Sequence, residues 1–479
     1  METMVTSITH LCFILGLSYY FITAMQWYSY RLERILFHYN RYDWHVFYFL
    51  VPLAGYYLLD GFVLSFFVAL FLLSLFIWQK KMDKKLVWTA RVKRFFLFLV
   101  LATLFQDLLC MVLVTSCLKL GVIILLMAAQ IASMLYEKML FLSFKKEAQK
   151  KLMANSALKV VAITASYGKT SIKNFLAQIL STKLNVYKTP RSVNTIGGII
   201  KDINESLPEQ CDVYIVEAGA RARGDIDEIA QLVNPHIAVV GCIGEQHIEY
   251  FKTLENIRNT KMELLHSLRL EKAFVHESAT IKGTETIISF GSELSDIEAN
   301  LNGLSFSMML DGVKEHFTCK LLGAFNAINI AAAIHVARTL GLSIEEIRSA
   351  VSHLEGVEHR LQKIEAGGKL IIDDSFNGNL EGMLSSYDLV AQHQGRKVII
   401  TPGIVESTEE ANKTLAKKID DIFDLVIITG KINVTILHDN IQKAQKIIIS
   451  DKTKLQETLS EQTFAGDVIL FSNDAPTFL

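Results

Sequence analysis

Cysteines at metal-binding spacing are missing from this sequence. Its six, at 12, 110, 117, 211, 242 and 319, include no C-x-x-C pair, which excludes the common zinc and dithiol patterns and leaves small apolar residues in a reducing compartment. Net charge is also nearly absent, at −1 over 479 residues. Nothing in that balance suggests nucleic acid as a partner. Proline (6) and glycine (26) are sparse, and most of the glycines sit at predicted element ends, where turns need them. No internal repeat or low-complexity tract is visible. No basic n-region and no A-x-A site precede Tyr28, so no cleaved signal peptide is expected.

What is abundant is apolar, and it is unevenly placed. Hydrophobic residues make up 51% of the chain and mean hydropathy is +0.30, with the excess almost entirely before Phe144. Four apolar runs stand out there, Val5 to Tyr28, Val46 to Trp78, Phe95 to Leu118 and Leu120 to Leu135. A bilayer-spanning helix needs about 20 apolar residues. Ten of the twelve Lys/Arg residues of this region lie in two loops, 31–41 and 80–94, and both loops should face the cytoplasm. For that, the 46–78 run must cross twice, breaking at Asp60-Gly61. The expectation is a membrane domain over residues 1–143 with five spans and an outside N-terminus; four spans is the alternative. Asp107 lies mid-span, where an ionisable group is costly and either functional or satisfied between helices.

From Phe144 onward strands and amphipathic helices alternate. Buried-strand candidates are Val160–Thr164, Val213–Ala218, Ile237–Ile243 and Ala273–His276, with a helix over Thr253–Leu268. A second set is Leu370–Asp373, Val398–Thr401, Leu425–Ile428, Ile447–Ile449 and Val468–Phe471. The layout predicts two doubly wound α/β domains, 144–355 and 356–479, joined after a helix over Ile344–Leu354.

The stretch LKVVAITASYGKTSIKNFLAQIL, Leu158 to Leu180, predicts a strand, a tight turn and a helix that opens on Lys169-Thr170-Ser171. That combination suits a triphosphate. Amides at the helix N-terminus face the anion, Lys169 neutralises outer phosphates, and the Thr170 hydroxyl can ligate Mg²⁺. The general P-loop pattern is incomplete, because Ile163 stands where a glycine is required. Ligands of open parallel sheets gather beyond the strand C-termini. There Glu217 ends VYIVEAG, His247 follows IAVVGCIG, and Lys261 sits in the next helix. A carboxylate at 217 suits Mg²⁺ beside Thr170. Taken singly, His247 and Lys261 read equally as a structural histidine and a solvated charge.

Seven segments in order across residues 158–405 resemble the Mur ligase family. TASYGKTS (164–171) looks like its T-G-x-x-G-K-T/S loop, with Ala165 in place of the glycine. TPRSVNTIGG (189–198) is similar to a segment lining the metal and substrate side, and VEAGARARGDI (216–226) to the one carrying a magnesium glutamate. The His247 and Lys261 segments look like those bearing a second-metal histidine and a carbamylated lysine. GAFNAINIAAA (323–333) resembles the adenine segment, with Phe325 for a histidine. HRLQKI and LIIDDSFNGN (370–379) look like the arginine and acidic segments of the C-terminal domain, with Phe376, Gly378 and Leu380 as departures. The final strand lacks the basic ending of the family, and the membrane region stands in place of its UDP-sugar-binding domain.

The resemblance implies an α-helical membrane domain followed by a P-loop-type ATP-binding parallel-sheet domain and a Rossmann-like C-terminal ligase domain. It implies ATP-dependent amide formation in peptidoglycan precursor synthesis, joining D-alanyl-D-alanine to a UDP-sugar tripeptide through an acyl phosphate. Implied catalytic residues are Lys169, His247, Lys261 and Asp374. ATP would be held by Thr164, Ala165, Ser166, Tyr167, Gly168, Lys169, Thr170, Ser171, Asn326, Asn329 and Arg360. Two Mg²⁺ ions would sit on Thr170, Glu217, His247 and a carbamylated Lys261, and substrate on Ser192, Asn194, Thr195, Asn377 and Asn379. The expected location is the bacterial inner membrane, with the catalytic domains in the cytoplasm and the lipid bilayer and membrane-bound cell-wall steps as partners. A Mur-like ligase of another acid and amine, a nucleotide-binding transporter or sensor, and an inactive scaffold remain open.

Overall fold

The computed structural model describes residues 2–28, 30, 32–37, 41–82, 84–113, 121–245, 248–376, 378–405, 407–430 and 432–473. Two compact units divide at Ser143/Phe144.

The first unit is helical. Glu2–Trp27 is followed by the short Leu32–Phe37, and residues 42–58 run as one helical stretch with a π segment at Val46–Leu50. After the break at Leu59-Asp60 come Gly61–Lys81, Ala90–Leu113 and Val122–Ala154. The apolar 46–78 run is thus two helices, and Gly55 is where they touch. A Cβ on Gly55 would lie 2.3 Å from the Phe67 ring, so no larger residue lets the helices approach this closely. Trp78 packs against Tyr20, Trp27, Trp44 and Tyr48. Outside this core the helices present apolar side chains, Phe62, Phe66, Phe105 and Leu135 among them. Val5–Trp27, Gly61–Lys81 and Val122–Ala154 are long and apolar enough to cross a membrane. The stretch 42–58, at 1.5 Å per residue, is about 26 Å long, just short of a hydrocarbon core. The expected Phe95–Leu118 and Leu120–Leu135 runs fall partly outside the described residues.

The second unit holds three sheets. In the first, β1 (Lys159–Thr164), β2 (Val186–Lys188), β3 (Val213–Glu217), β4 (Ile237–Val240), β5 (Lys272–His276) and β6 (Ile287–Phe290) lie parallel in the order β2-β3-β1-β4-β5-β6. β1 is central, with Ala162 paired to Val216 on one side and Ala238 on the other. Loops leaving β1, β3 and β4 therefore emerge side by side at one sheet edge. An antiparallel meander of β7 (Leu294–Asn300), β8 (Gly303–Leu310) and β9 (Val313–Cys319) follows. The third sheet has β10 (Gln362–Ala366), β11 (Lys369–Asp374), β12 (Lys397–Thr401), β13 (Leu425–Thr429), β14 (Gln445–Ile449) and β15 (Val468–Ser472) in the order β10-β11-β15-β12-β13-β14. It is parallel except at β10.

The nine expected strands are present, though β4 stops at Val240, short of Ile243. Six further strands, β2, β6, β7, β8, β9 and β10, went unpredicted. β2 is three residues long, and β7 and β10 are largely polar and half exposed, so neither length nor alternation marks them. The expected Thr253–Leu268 helix is α-helical over Leu254–Met262 and continues as a 3₁₀ turn over Glu263–His266.

The helix that positions the site, Lys169–Leu180, buries Ile172, Phe175, Leu176 and Ile179. Each such side chain contributes roughly 1.5–3 kcal/mol. They share one core with Ile330, Ala331 and Ile334 of the helix Asn326–Thr339. At the other end of the domain, the Ser343/Glu346 capping box starts Ile344–Ser352. The Gln178 side chain then pairs with both backbone groups of Glu355, at 2.8 and 3.2 Å, fixing the segment that follows this helix.

Candidate active site

The turn after β1 ends on Gly168, whose φ of +81° is left-handed. A side chain there would be strained and would also strike Asn329, whose Oδ1 lies 2.2 Å from an ideal Cβ. Lys169 then opens the helix, and its ammonium donates to the carbonyls of Ala165 (2.6 Å) and Ser166 (3.1 Å). Burial pulls its pKa down to about 8, with Glu217 opposing the shift and Arg360 adding to it. The Ser166 hydroxyl donates to Gly244 and that of Thr164 to Ala218, both at 2.9 Å, so each ties the loop to a neighbouring strand end. Tyr167 lies against Gly244, and burial pushes its hydroxyl up to about 12. Ser171 is buried within the first helical turn.

Glu217 ends β3 beside this turn. Its Oε1 accepts from Asn194 Nδ2 (3.1 Å) and its Oε2 lies 3.0 Å from Lys173 Nζ, with both side chains 1% exposed. Lys173 and Thr189, whose hydroxyl accepts from the Glu217 amide at 3.2 Å, are site residues that sequence reasoning passed over. Lys173 stands four residues after Lys169, hence on the same helix face, and that spacing was the available signal.

Lys261 is 2% exposed. Burial drives its pKa well below the ordinary lysine value, and the Lys169 charge pushes the same way against the weaker pull of Asp225 and Glu263. Those two carboxylates are engaged elsewhere. Asp225 accepts from the amides of Arg221 and Ala222, and Glu263 from those of Gly224 and Asp227.

From the C-terminal domain, Arg360 Nη2 donates to Thr170 Oγ1 at 3.3 Å, and its guanidinium lies 4.9 Å from the Phe376 ring centroid. Burial lowers its pKa, opposed by Glu217 and Asp374. Asp374, at the end of β11, is pushed up to about 6 by burial. Its neighbour Asp373 points the other way, accepting from His359 (2.7 Å) and Ser375.

Lys169, Thr170, Glu217, Asn194, Lys261, Arg360 and Asp374 thus gather around one strand-end cluster. Other expected residues have local duties. Asn326 donates to Leu322, Asn329 donates to Asn326, and both side chains are buried over the phosphate loop. Thr195 and Asn379 are helix N-caps, accepting from Gly198 and Gly382. Ser192 is exposed at the rim of the cluster. His247 and Asn377 lie outside the described residues.

A nucleotide-bound magnesium fits these donors. Mg²⁺ takes one or two protein oxygens and completes its shell with phosphate and water, and Thr170 Oγ1 with Glu217 Oε1 is such a pair. Among the described residues no three His, Cys, Asp or Glu side chains assemble into a full protein cage, the type of site Mg²⁺ uses least.

A glycine-turned helix N-terminus holding lysine and threonine, a strand-end glutamate, and an arginine brought in by a second α/β domain define a class: a two-domain enzyme built to work on a nucleoside triphosphate. The model of the Mur ligase middle domain matches residues 163–337. The chain is 27% identical over 336 residues to the UDP-N-acetylmuramoyl-tripeptide--D-alanyl-D-alanine ligase of Bacillus subtilis, covering 65% of this chain and 72% of that one. The Synechocystis enzyme of the same name is 27% identical over 329 residues, covering 66% and 71%. Among solved structures, the MurF ligase of Thermotoga maritima in complex with ADP is similar with a TM-score of 0.60 and 26% identity, over 70% of this chain and 80% of that one. Residues 163–337 thus match a Mur ligase middle domain, and the chain is similar over about two thirds of its length to ATP-dependent amide ligases of the Mur ligase family.

Proposed function

We propose that this protein joins D-alanyl-D-alanine to a UDP-N-acetylmuramoyl-tripeptide, using ATP to convert the peptide carboxylate into an acyl phosphate. The observation that carries the reading is the convergence of Lys169, Thr170, Glu217, Lys261 and Arg360 on one sheet edge, in a chain similar over about two thirds of its length to ligases of that name.

A carboxylate repels nucleophiles, and phosphorylation removes that charge. One carboxylate oxygen attacks the γ-phosphorus, the bond to the β-phosphate oxygen breaks, and ADP leaves. The incoming amine then attacks the acyl carbon, loses a proton and expels inorganic phosphate. The loop amides and Lys169 hold the β- and γ-phosphate oxygens while Arg360, tied to Thr170, adds a cation from the opposite side. Asp374 has an elevated pKa and is suited to accept the proton of the amine. Thr170 and Glu217 would hold a Mg²⁺, which would neutralise charge at the phosphates. Asn326 and Asn329 face the adenine, and Ser192, Asn194, Thr195, Asn377 and Asn379 the two substrates. His247 and Lys261, the latter as its carbamate, would hold a second Mg²⁺. Burial that favours the neutral form of the Lys261 amine supports this reading, since only a neutral amine adds CO₂, forming an N–C bond and releasing a proton.

The helical unit is read as a five-span anchor in the bacterial inner membrane, with the α/β domains in the cytoplasm. Tethering raises the local concentration of product for membrane-bound steps. The deciding experiment incubates the full chain in detergent with ATP, the tripeptide substrate and D-alanyl-D-alanine. Mass spectrometry should find the pentapeptide, and Lys261→Ala should abolish it. Phosphate release that ignores D-alanyl-D-alanine, with no amide product, would overturn the assignment.

A further inference from the structure

Lys173 is a cation buried in the wall of the site. Its ammonium is 3.0 Å from Glu217 Oε2 and also donates to the Arg191 carbonyl, on a residue held at a left-handed φ of 46°. The nearby Lys188 is engaged with Asn174, so among the described residues Lys173 is the cation in ion-pair contact with Glu217. A fold does not need a charge in such a place, because buried ion pairs are replaced by apolar side chains of similar volume at little cost. The pair touches the carboxylate that has the oxygen chemistry of a magnesium ligand. Its charges cancel, and of the other groups around it Lys169 and Arg360 are positive while Asp202 and Asp374 are carboxylates. At Glu217 itself the ammonium on Oε2 and the cations of Lys169 and Arg360 oppose a divalent cation before nucleotide arrives, and a triphosphate offsets them.

We infer that Lys173 is a positioning residue, the resident counter-cation of Glu217, which fixes the carboxylate and makes divalent-cation binding conditional on nucleotide. This rests on the reading of Glu217 as a magnesium ligand given above. With Lys173 on Oε2, Glu217 offers a cation Oε1 alone, after Asn194 yields it. The Arg191 contact couples the same ammonium to the 189–195 segment, so exchange of partners at Glu217 is felt along the substrate rim.

The test uses the full chain and Mn²⁺ as a spectroscopic probe, followed by electron paramagnetic resonance with and without ATP and with no other substrate. Wild type should bind Mn²⁺ about tenfold or more tightly with ATP than without it. Lys173→Met, and Lys173→Gln as a variant that keeps a donor for Arg191, should raise nucleotide-free affinity by a similar factor and shrink the ATP effect, while Lys173→Arg behaves as wild type. Adding Glu217→Gln should erase the gain. If folded Met and Gln variants bind Mn²⁺ as wild type does in both conditions, or if the gain survives Glu217→Gln, Lys173 is a packing residue and the inference fails. The readout needs no amide product, so loss of the proposed ligase reaction would be seen separately, in phosphate release independent of D-alanyl-D-alanine.

Discussion

The Arg360 guanidinium, carried by the C-terminal domain, donates to the Thr170 hydroxyl at 3.3 Å, joining the second α/β domain to the first turn of the phosphate-loop helix. Arg360 follows His359 and precedes Leu361, both at left-handed φ (61° and 53°), so the backbone around it is bent to deliver this one side chain. A hydrogen bond to a charged group is worth about 1.5–3 kcal/mol. Arg360→Ala should weaken ATP binding roughly 10- to 100-fold in calorimetry. Arg360→Lys should recover little, because an ammonium cannot fork between a hydroxyl and a phosphate. Unchanged affinity in both would show that the guanidinium is no part of the nucleotide site.

Gly168 gives a prediction with two separable causes. Its φ of +81° costs a Cβ-bearing residue about 1–2 kcal/mol, and the Asn329 contact adds a clash. Gly168→Ala should lower thermal stability and abolish nucleotide binding. Adding Asn329→Ala should restore part of the stability, since the clash is relieved while the backbone strain stays. A double variant no more stable than the single would mean that Asn329 is not the obstacle.

Asp374 sets a pH-dependent stability. Its folded pKa, near 6, is raised above the ordinary 3.8, so the folded state favours the protonated acid. The stability it contributes is full below about 4 and is lost as pH rises through 6. Asp374→Asn should therefore raise the melting temperature at pH 7.5, by up to roughly 3 kcal/mol of stability, with the gain shrinking toward pH 4. The same variant should lose ligase activity. A melting difference independent of pH would contradict the burial argument.

These residues show what the sequence carried. Glu217, Lys261 and Arg360 were legible because residue types that do chemistry stood at strand and helix ends in a recognisable order. Lys173 was not, because a lysine four residues into an amphipathic helix reads as solvated until Glu217 is seen 3.0 Å away. The parallel strands announced themselves as apolar runs. The meander β7–β9 did not, since its edge strands are half-exposed and polar, and its existence is decided by packing of Phe306 and Phe317 under the helix Asn326–Thr339. Likewise the helix-capping duty of the Asn379 side chain was not announced by its segment.

The break at Leu59-Asp60 separates two crossings from one. Gly55 and Phe67 bring the flanking helices together, the geometry of a hairpin. With Asp60→Cys in a cysteine-free background, a membrane-impermeant maleimide should label intact spheroplasts, while Lys84→Cys is labelled only after lysis. Labelling of both positions from the same side would favour a re-entrant pair and fewer spans.

Lys261 joins stability to chemistry through a single buried amine. Its folded pKa lies well below 10.5, so the charged form is disfavoured in the folded state. Stability rises with pH across the interval between the folded and unfolded values and is lowest on its acid side. Lys261→Met removes the buried amine and should raise the melting temperature, most at the acid end of that interval, while abolishing amide formation. If the working form is a carbamate, ¹³C-bicarbonate should give the full-length protein a carbonyl resonance that is lost in Lys261→Met, and stripping CO₂ should slow wild type reversibly. A variant that melts higher, is inactive and shows an unaltered ¹³C spectrum would keep Lys261 in the site as an amine and remove the carbamate from the mechanism.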